Sequence, residues 1–392
     1  MNRPVPAPNE KVVIVAAKRT PFGTFGGSLK GVSATDLAVE ASKAALDQSG
    51  VSPEKIEHVI FGNVIPSSSD AAYLARHVGL KSGIPLSTPA LTLNRLCGSG
   101  FEAIADGTRR LKLGEASAVL VGGTENMSQA PFTLRKSRFG YRMGNGELED
   151  TLVAGLYDSY AQLPMALTAE RLAEKYKITR EEVDAFSLRS HQLAASAYEQ
   201  NLFQSELAPL PLLAKDEHVR PTASLDSLKK LSPVFKKEGI VTAGNASGIC
   251  DGAAALILTL ESTAKQNGWK MLASLEASTV IGCEPKEMGI GPVMATQNLL
   301  KNTGLAPKDI TLIEINEAFA AQVLAVQREL RFEESKLNRE GGAIALGHPL
   351  AASGARIAVH LVHRLQALGG GLGIGTACIG GGQGMAVLLK VE

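Results

Sequence analysis

The chain carries one stretch of its sequence twice. Gly50, Pro53 and Ile56, in S-G-V-S-P-E-K-I, recur as Gly304, Pro307 and Ile310, in T-G-L-A-P-K-D-I. The same offset carries Leu96, Ser99 and Gly100 onto Leu350, Ser353 and Gly354. Two matches so far apart at one ungapped offset mark a duplicated unit. Each copy reads as a helix closed by a glycine, a proline turn and an apolar strand. Later in each copy, a turn bearing Gly and Ser opens a second helix: G-S-G-F-E-A-I-A-D-G-T-R-R-L, then S-G-A-R-I-A-V-H-L-V-H-R-L. A strand and a glycine turn follow. Strands alternating with helices predict mixed or parallel sheets covered by helices, an α/β fold.

At 392 residues the chain is longer than one hydrophobic core usually supports. The duplication predicts an N-terminal core domain from 1–121 plus 250–272, a C-terminal core domain over 273–392, and an insert without counterpart over 122–249. The insert is richer in charge and helix pattern (T-A-E-R-L-A-E-K-Y) and is expected to lie over the core as a loop domain. A net charge of +1 gives no reason to expect nucleic acid as a partner. No apolar run reaches the roughly 18–20 residues that span a bilayer, so no membrane association is expected. The start, M-N-R-P-V-P-A-P-N-E, has one basic residue and no apolar stretch, and reads as a short disordered lead-in rather than a secretory signal. Cys97, Cys250, Cys283 and Cys378 lie far apart with no C-x-x-C pair, which favours thiol chemistry over a disulfide framework and makes the cytoplasm the default compartment.

The duplication places Cys97, in N-R-L-C-G-S-G, and His348, in G-H-P-L-A-A-S-G, ahead of equivalent helices. A cysteine at a helix N-terminus is expected to favour thiolate. A histidine facing it can take its proton, the logic of covalent catalysis by a Cys–His pair. Cys378 stands in G-T-A-C-I-G-G-G-Q-G, where the glycines offer a thiol little packing but let a ligand approach the backbone. Cys250 and Cys283 read as small buried residues near the core. His360 and His363, three apart on a helix, read as a solvated face; no third ligand is apparent and no metal is expected. G-I-G-T-A-C lacks the spacing of a dinucleotide fingerprint.

Five blocks, N-R-L-C-G-S-G, V-T-A-G-N-A-S-G, N-E-A-F-A, G-G-A-I-A-L-G-H-P-L and C-I-G-G-G-Q-G, resemble in order the signature blocks of the thiolases, the acetyl-CoA C-acyltransferases. The resemblance runs from about residue 11 to 390. It implies two similar α/β halves in five α-β-α-β-α layers plus a loop domain. It implies Cys97 as the acyl-accepting nucleophile, His348 as its activator and Cys378 as the acid/base thiol. One oxyanion site would use His348 with a water held by Asn316, the other the backbone N–H groups of Cys97 and Gly380. Without the resemblance, Asn316 reads as a turn asparagine at a strand end and Arg220 as a surface arginine. Coenzyme A would meet Arg220, Ser227, Ala243 and Ser247, with Met288, Ala318 and Phe319 near the pantetheine or acyl end. Coenzyme A thioesters would be substrates, with no further cofactor, and the assembly a homodimer or homotetramer.

Two departures stand out. Many members have G-H-P-L-G where this chain has Ala351, and acetoacetyl-specific members have a His-Met pair where this chain has Pro164-Met165. That segment is more similar to the 3-ketoacyl-CoA thiolases of fatty-acid oxidation. The alternatives are a carrier-protein-dependent ketoacyl synthase, which has histidine or asparagine where Cys378 stands, and a non-catalytic CoA- or lipid-binding thiolase-like protein.

Overall fold

The structure, a computed structural model, describes residues 10–392. The expected N-terminal lead-in falls on residues outside the described ones, apart from Glu10. Nine strands follow the main path of a ten-stranded sheet: β1 (Val12–Arg19), β2 (His58–Gly62), β3 (Ala90–Leu93), β4 (Ala118–Asn126), β5 (Cys250–Leu260), β6 (Ala273–Gly282), β7 (Leu312–Ile315), β8 (Gly371–Ile379) and β9 (Gln383–Val391). Their order is β7-β8-β9-β6-β1-β5-β4-β2-β3, and the short strand Gly23–Thr24 pairs with β5 off this path. The first half contributes β3-β2-β4-β5-β1 and the second β7-β8-β9-β6. Among the described residues, the two sets pair only where Val12–Ile14 of β1 meet Ala273–Leu275 of β6.

Among the described residues, the eight helices of eight or more residues sort into layers: α1 (Ala34–Ser49), α2 (Leu74–Lys81), α3 (Ser99–Lys112), α4 (Met165–Tyr176), α5 (Arg180–Glu199), α6 (Gly291–Thr303), α7 (Ala320–Leu330) and α8 (Ser353–Ala367). Helices α3 and α8 fill the space between the two sets of strands. There Phe101, Ile104, Ile357 and Leu361 share one core with Val121 and Leu256 of the first half and Met385 and Val387 of the second. Leu37, Ala41, Leu74 and Val78 of α1 and α2 cover the outer face of the first half. Leu299 of α6 and Val326 of α7 cover that of the second. The result is the five-layer α-β-α-β-α fold. Each repeat also uses its glycine alike: Gly50 and Gly304 close α1 and α6 with φ of +65° and +71°, a left-handed conformation that costs glycine little.

The insert leaves the core later than predicted. Strand β4 continues to Asn126, so a boundary at 122 would cut a buried strand. Within the insert, Leu172 of α4 and Phe186 of α5 pack on the outer face of the second half. A hairpin pairs Phe132–Leu134 with Leu148–Asp150, and Phe139 and Met143 between those strands are 95% and 92% exposed.

The prediction of a solvated face for His360 and His363 is overturned. Helix α8 has a set of strands on either side, so it has no solvent face at that level, and both histidines are buried. His363 Nε2 donates to the Ala17 carbonyl (2.9 Å). His360 lies between Glu206 (2.8 Å) and Glu340 (3.3 Å). Burial opposes its charge, yet these carboxylates raise its pKa to about 10. Glu206 also pairs with the buried Arg19 (2.6 Å), which reaches Asp216 at 2.8 Å. One ion network thus joins β1, the insert and α8. Among the described residues, no helix is long and apolar enough to cross a membrane.

Candidate active site

Cys97 is presented by a tight turn ahead of α3. Leu96 adopts φ +47°, a left-handed conformation unusual for a branched residue. Local bonds hold it there: Leu96 N–H donates to Asn94 Oδ1 (2.8 Å), and Ser99 Oγ donates to the Leu96 carbonyl (2.7 Å) while accepting from Arg95 N–H (2.8 Å). A β-carbon on Gly98 would stand 2.4 Å from Ile379 Cδ1, so the turn sits directly on the residue after Cys378. Cys97 is half-exposed, and its surroundings oppose the expected thiolate in the resting protein. Burial pushes the Cys97 thiol up to about 11, the N–H groups of Gly380 and of Cys97 itself pull the other way, and Glu125 adds to the rise. Desolvation outweighs the helix terminus.

His348 is buried and held at both ring nitrogens. Nδ1 lies 2.5 Å from Ser353 Oγ, whose hydroxyl is 3.2 Å from the Pro349 carbonyl. That hydroxyl can donate to Pro349 and accept from the ring, which assigns the ring proton to Nδ1 and leaves the Nε2 lone pair to accept from Asn316. Nε2 is 3.3 Å from Asn316 Nδ2. Burial and the Arg356 charge lower the pKa of His348 to about 4, so at neutral pH it is an uncharged base. Its own N–H donates to the Gly248 carbonyl (2.9 Å).

Asn316 follows β7, wholly buried, and its Oδ1 has no protein partner. Its segment is braced by Asn338, which accepts from Ile315 N–H (2.9 Å) and donates to the Ile315 carbonyl (3.0 Å) and to Glu317 Oε1 (2.8 Å). Asn338 carried no sequence signal, because its N-R-E-G-G context reads as an ordinary turn.

Cys378 is not a loosely packed turn residue. It is the penultimate residue of β8, opposite Gly384 of β9, and it is wholly buried with Met288 and Ala318, against Met165 and Phe319. The glycines come after it: Gly381 and Gly382 take φ of +79° and +82° in the hairpin. Burial, then the neighbouring Cys97, hold its thiol pKa well above the ordinary value. A β-carbon on Gly380 would lie 3.2 Å from Leu96 Cδ1 and 3.3 Å from Met165 Sδ, and its N–H faces the Cys97 sulfur. Cys250 is buried as expected, whereas Cys283 is half-exposed, with its N–H bonded to the Gly382 carbonyl (2.7 Å).

The residues predicted for coenzyme A divide into two groups. Met288, Ala318 and Phe319 gather around Cys378, and Ser247 N–H donates to the Ala318 carbonyl (2.9 Å). Arg220, Ser227 and Ala243 are exposed on the insert. Ser227 Oγ donates to the Ser224 carbonyl (2.7 Å) in a helix cap, and Arg220 N–H donates to His191 Nδ1 (3.3 Å). The ring of His218 lies over Gly248, where a β-carbon would meet it at 2.7 Å. His191 and His218 were not singled out from sequence, since each is a lone histidine in a helix or loop. The nearest approach to a metal-ligand set among the described residues is Glu314, Glu340 and His360. Arg356 and Arg364 already pair with those carboxylates at 3.4 and 2.9 Å.

Comparison with known proteins gives the family. The family model described as "Thiolase, N-terminal domain" matches residues 12–262, and "Thiolase, C-terminal domain" matches 269–391. The chain is 54% identical over 388 residues to the mitochondrial 3-ketoacyl-CoA thiolase of Homo sapiens, covering 97% of this chain and 98% of that one. It is 47% identical over 390 residues to the acetyl-CoA acetyltransferase of Chromobacterium violaceum, covering 97% and 99%. The crystal structure of the human mitochondrial thiolase in complex with CoA superposes with a TM-score of 0.97 at 54% identity, covering 98% of each chain. On fold, duplicated architecture and these matches over nearly its whole length, the chain belongs to the thiolase family.

Proposed function

We propose that this chain is an acyltransferase that cleaves 3-ketoacyl-CoA with coenzyme A, and in reverse condenses acetyl-CoA with an acyl-CoA. The observation that carries the reading is a neutral His348 whose Nε2 faces the Asn316 amide, on a turn whose Leu350 and Ala351 pack in one cluster with Cys97, itself the neighbour of Cys378. In cleavage, Nε2 takes the Cys97 proton as sulfur attacks the 3-keto carbon. The C–C bond breaks toward the α-carbon, and the Cys378 thiol gives that carbon its proton, releasing acetyl-CoA. Coenzyme A then accepts the acyl group from Cys97. In synthesis Cys378 removes an α-proton from acetyl-CoA, and the carbanion attacks acetyl-Cys97.

The N–H groups of Cys97 and Gly380 are placed to receive an oxygen on a carbon bonded to the Cys97 sulfur. The Asn316 amide beside Nε2 serves the second oxyanion site, with its free Oδ1 available to hold a water. Arg220, Ser227, Ala243 and Ser247 are proposed to line the path of coenzyme A, and Met288, Ala318 and Phe319 its reactive end; the CoA complex of a relative 54% identical supports this partner. No metal or further cofactor enters the scheme.

Met165 with Pro164 ahead of it supports acyl chains longer than acetoacetyl. The exposed hairpin around Phe139 and Met143 and the edge strand β3 support association into a dimer or tetramer. Four free cysteines suit a reducing compartment. We retain the cytoplasm as the proposed site of action, and fractionation decides between it and the mitochondrion in which its relatives are named.

Incubation with acetoacetyl-CoA and coenzyme A should give acetyl-CoA, with rates on C4 to C16 substrates fixing the chain length. Absence of product beside an active control enzyme would overturn the assignment.

A further inference from the structure

Glu125 is wholly buried on β4, and both carboxylate oxygens are saturated by donors. Oε1 accepts from Asn63 Nδ2 (3.0 Å) and Ile65 N–H (2.9 Å), and Oε2 from Val64 N–H (3.1 Å) and Ala351 N–H (3.1 Å). The first three donors lie just after β2, in the first half of the molecule. The fourth belongs to the second half, three residues beyond His348. Among the described residues no lysine or arginine forms an ion pair with this carboxylate. A buried carboxylate without a cation is costly unless its lone pairs are filled by N–H donors.

The Val64 segment also holds the turn of the nucleophile. Asn94 Nδ2 donates to the Val64 carbonyl (3.3 Å), and Asn94 Oδ1 accepts the Leu96 N–H (2.8 Å). A continuous path of bonds therefore runs from Leu96 through Asn94, Val64 and Glu125 to Ala351. The strands beneath are cleared for that contact. A β-carbon on Gly123, two residues before Glu125 on the same face of β4, would stand 1.9 Å from the Ala351 carbonyl oxygen. One on Gly62 would stand 2.6 Å from Ser99 Cβ, at the start of the helix behind Cys97. The turn bearing His348 rests directly on the backbone of the first half, and among the described residues Glu125 bonds into the second half at Ala351 alone.

We propose that Glu125 is a positioning residue that holds the turn of His348 in register with the turn of Cys97. It touches neither substrate nor reacting atoms. It acts through Ala351 on one side and Val64 and Asn94 on the other; burial raises its own pKa to about 7, and where it is ionised its charge opposes ionisation of Cys97. An amide at this position would turn an NH2 group toward two N–H donors and push the two turns apart. The inference rests on the thiolase reading of the site.

The test uses Glu125→Gln, Glu125→Asp and Asn94→Ala in the full chain. It follows thiolysis of acetoacetyl-CoA, acetylation of Cys97 by acetyl-CoA, alkylation of Cys97 by iodoacetamide against pH, and melting temperature. A misplacement of about 1 Å at a reacting pair costs on the order of 100-fold, so Glu125→Gln should lower kcat by about that factor with KM little changed. Its alkylation midpoint should fall to lower pH, because the opposing charge is gone. Glu125→Asp, which keeps the charge, should keep the wild-type midpoint and recover part of kcat. Asn94→Ala should lower kcat with both KM and midpoint unchanged. A folded Glu125→Gln protein with wild-type kcat, or with an unmoved midpoint, overturns the proposal. If Glu125→Gln does not fold, wild-type kcat in Asn94→Ala overturns it. A wild-type protein that is never acetylated at Cys97 overturns the thiolase reading instead.

Discussion

Gly100 and Gly354 each make room for the other's helix. A β-carbon on Gly100 would stand 2.3 Å from the backbone nitrogen of Ala355, and one on Gly354 would stand 2.6 Å from that of Phe101. The repeated Ser-Gly pair thus marks the crossing of α3 and α8, where the two halves meet backbone to backbone. Cys97 and His348 each stand just ahead of one of these helices, and Leu350 and Ala351, beyond His348, pack in one cluster with Cys97.

Gly100→Ala should accordingly be destabilising and catalytically damaging. Overpacking of a close-packed core costs about 1–3 kcal/mol, and backbone atoms cannot move aside as side chains can. A urea midpoint equal to that of the wild type would contradict a backbone-limited crossing.

His348 gives a prediction in pH. Its folded pKa of about 4 lies below the ordinary 6.5, so the folded state favours the neutral ring. Its contribution to stability is full above 6.5 and is lost as pH falls toward 4. For catalysis, the acid limb of kcat/KM in Cys97 acylation should lie near 4, since that ratio reports the free enzyme. A limb centred near 6.5 that His348→Asn removes would show that the ring is not desolvated as described.

His360 predicts the opposite sign. Its pKa of about 10 means that its stabilisation is full below 6.5 and is lost as pH rises through 10. Removing one partner of a buried ion network leaves uncompensated charge, so His360→Gln should cost about 3–5 kcal/mol near pH 6. The gap between variant and wild type, measured by denaturant unfolding, should narrow toward pH 10. A gap constant with pH would mean that His360 is neutral in the folded protein.

The duplication and the helix starts were legible because they rest on local rules. Gly50 and Gly304 cap helices, and Ser99 and Ser353 open them, by chemistry that a short stretch of sequence displays. The catalytic candidates were legible because the repeat set Cys97 opposite His348 and the glycines drew attention to Cys378. What sequence could not give was environment. Cys97 reads as a dipole-stabilised thiolate until the depth of its sulfur is known. His360 reads as a surface residue until α8 is seen between two sets of strands, and its partners Glu206 and Glu340 are far away along the chain. Asn338 and Glu125 act through bonds to distant backbone, which leave no pattern at the residue itself.

The most direct test of the division of labour between the two thiols is Cys378→Ser. Cys97 acylation needs His348 and the N–H groups beside its sulfur, whereas making or breaking the C–C bond needs the proton that Cys378 carries. The variant should still be acetylated at Cys97 by acetyl-CoA, read by mass spectrometry, at a rate within about tenfold of the wild type. Thiolysis of acetoacetyl-CoA should fall by about 10²–10⁴-fold, the usual worth of a general acid or base. Equal loss of both steps, or thiolysis at the wild-type rate, would contradict the account.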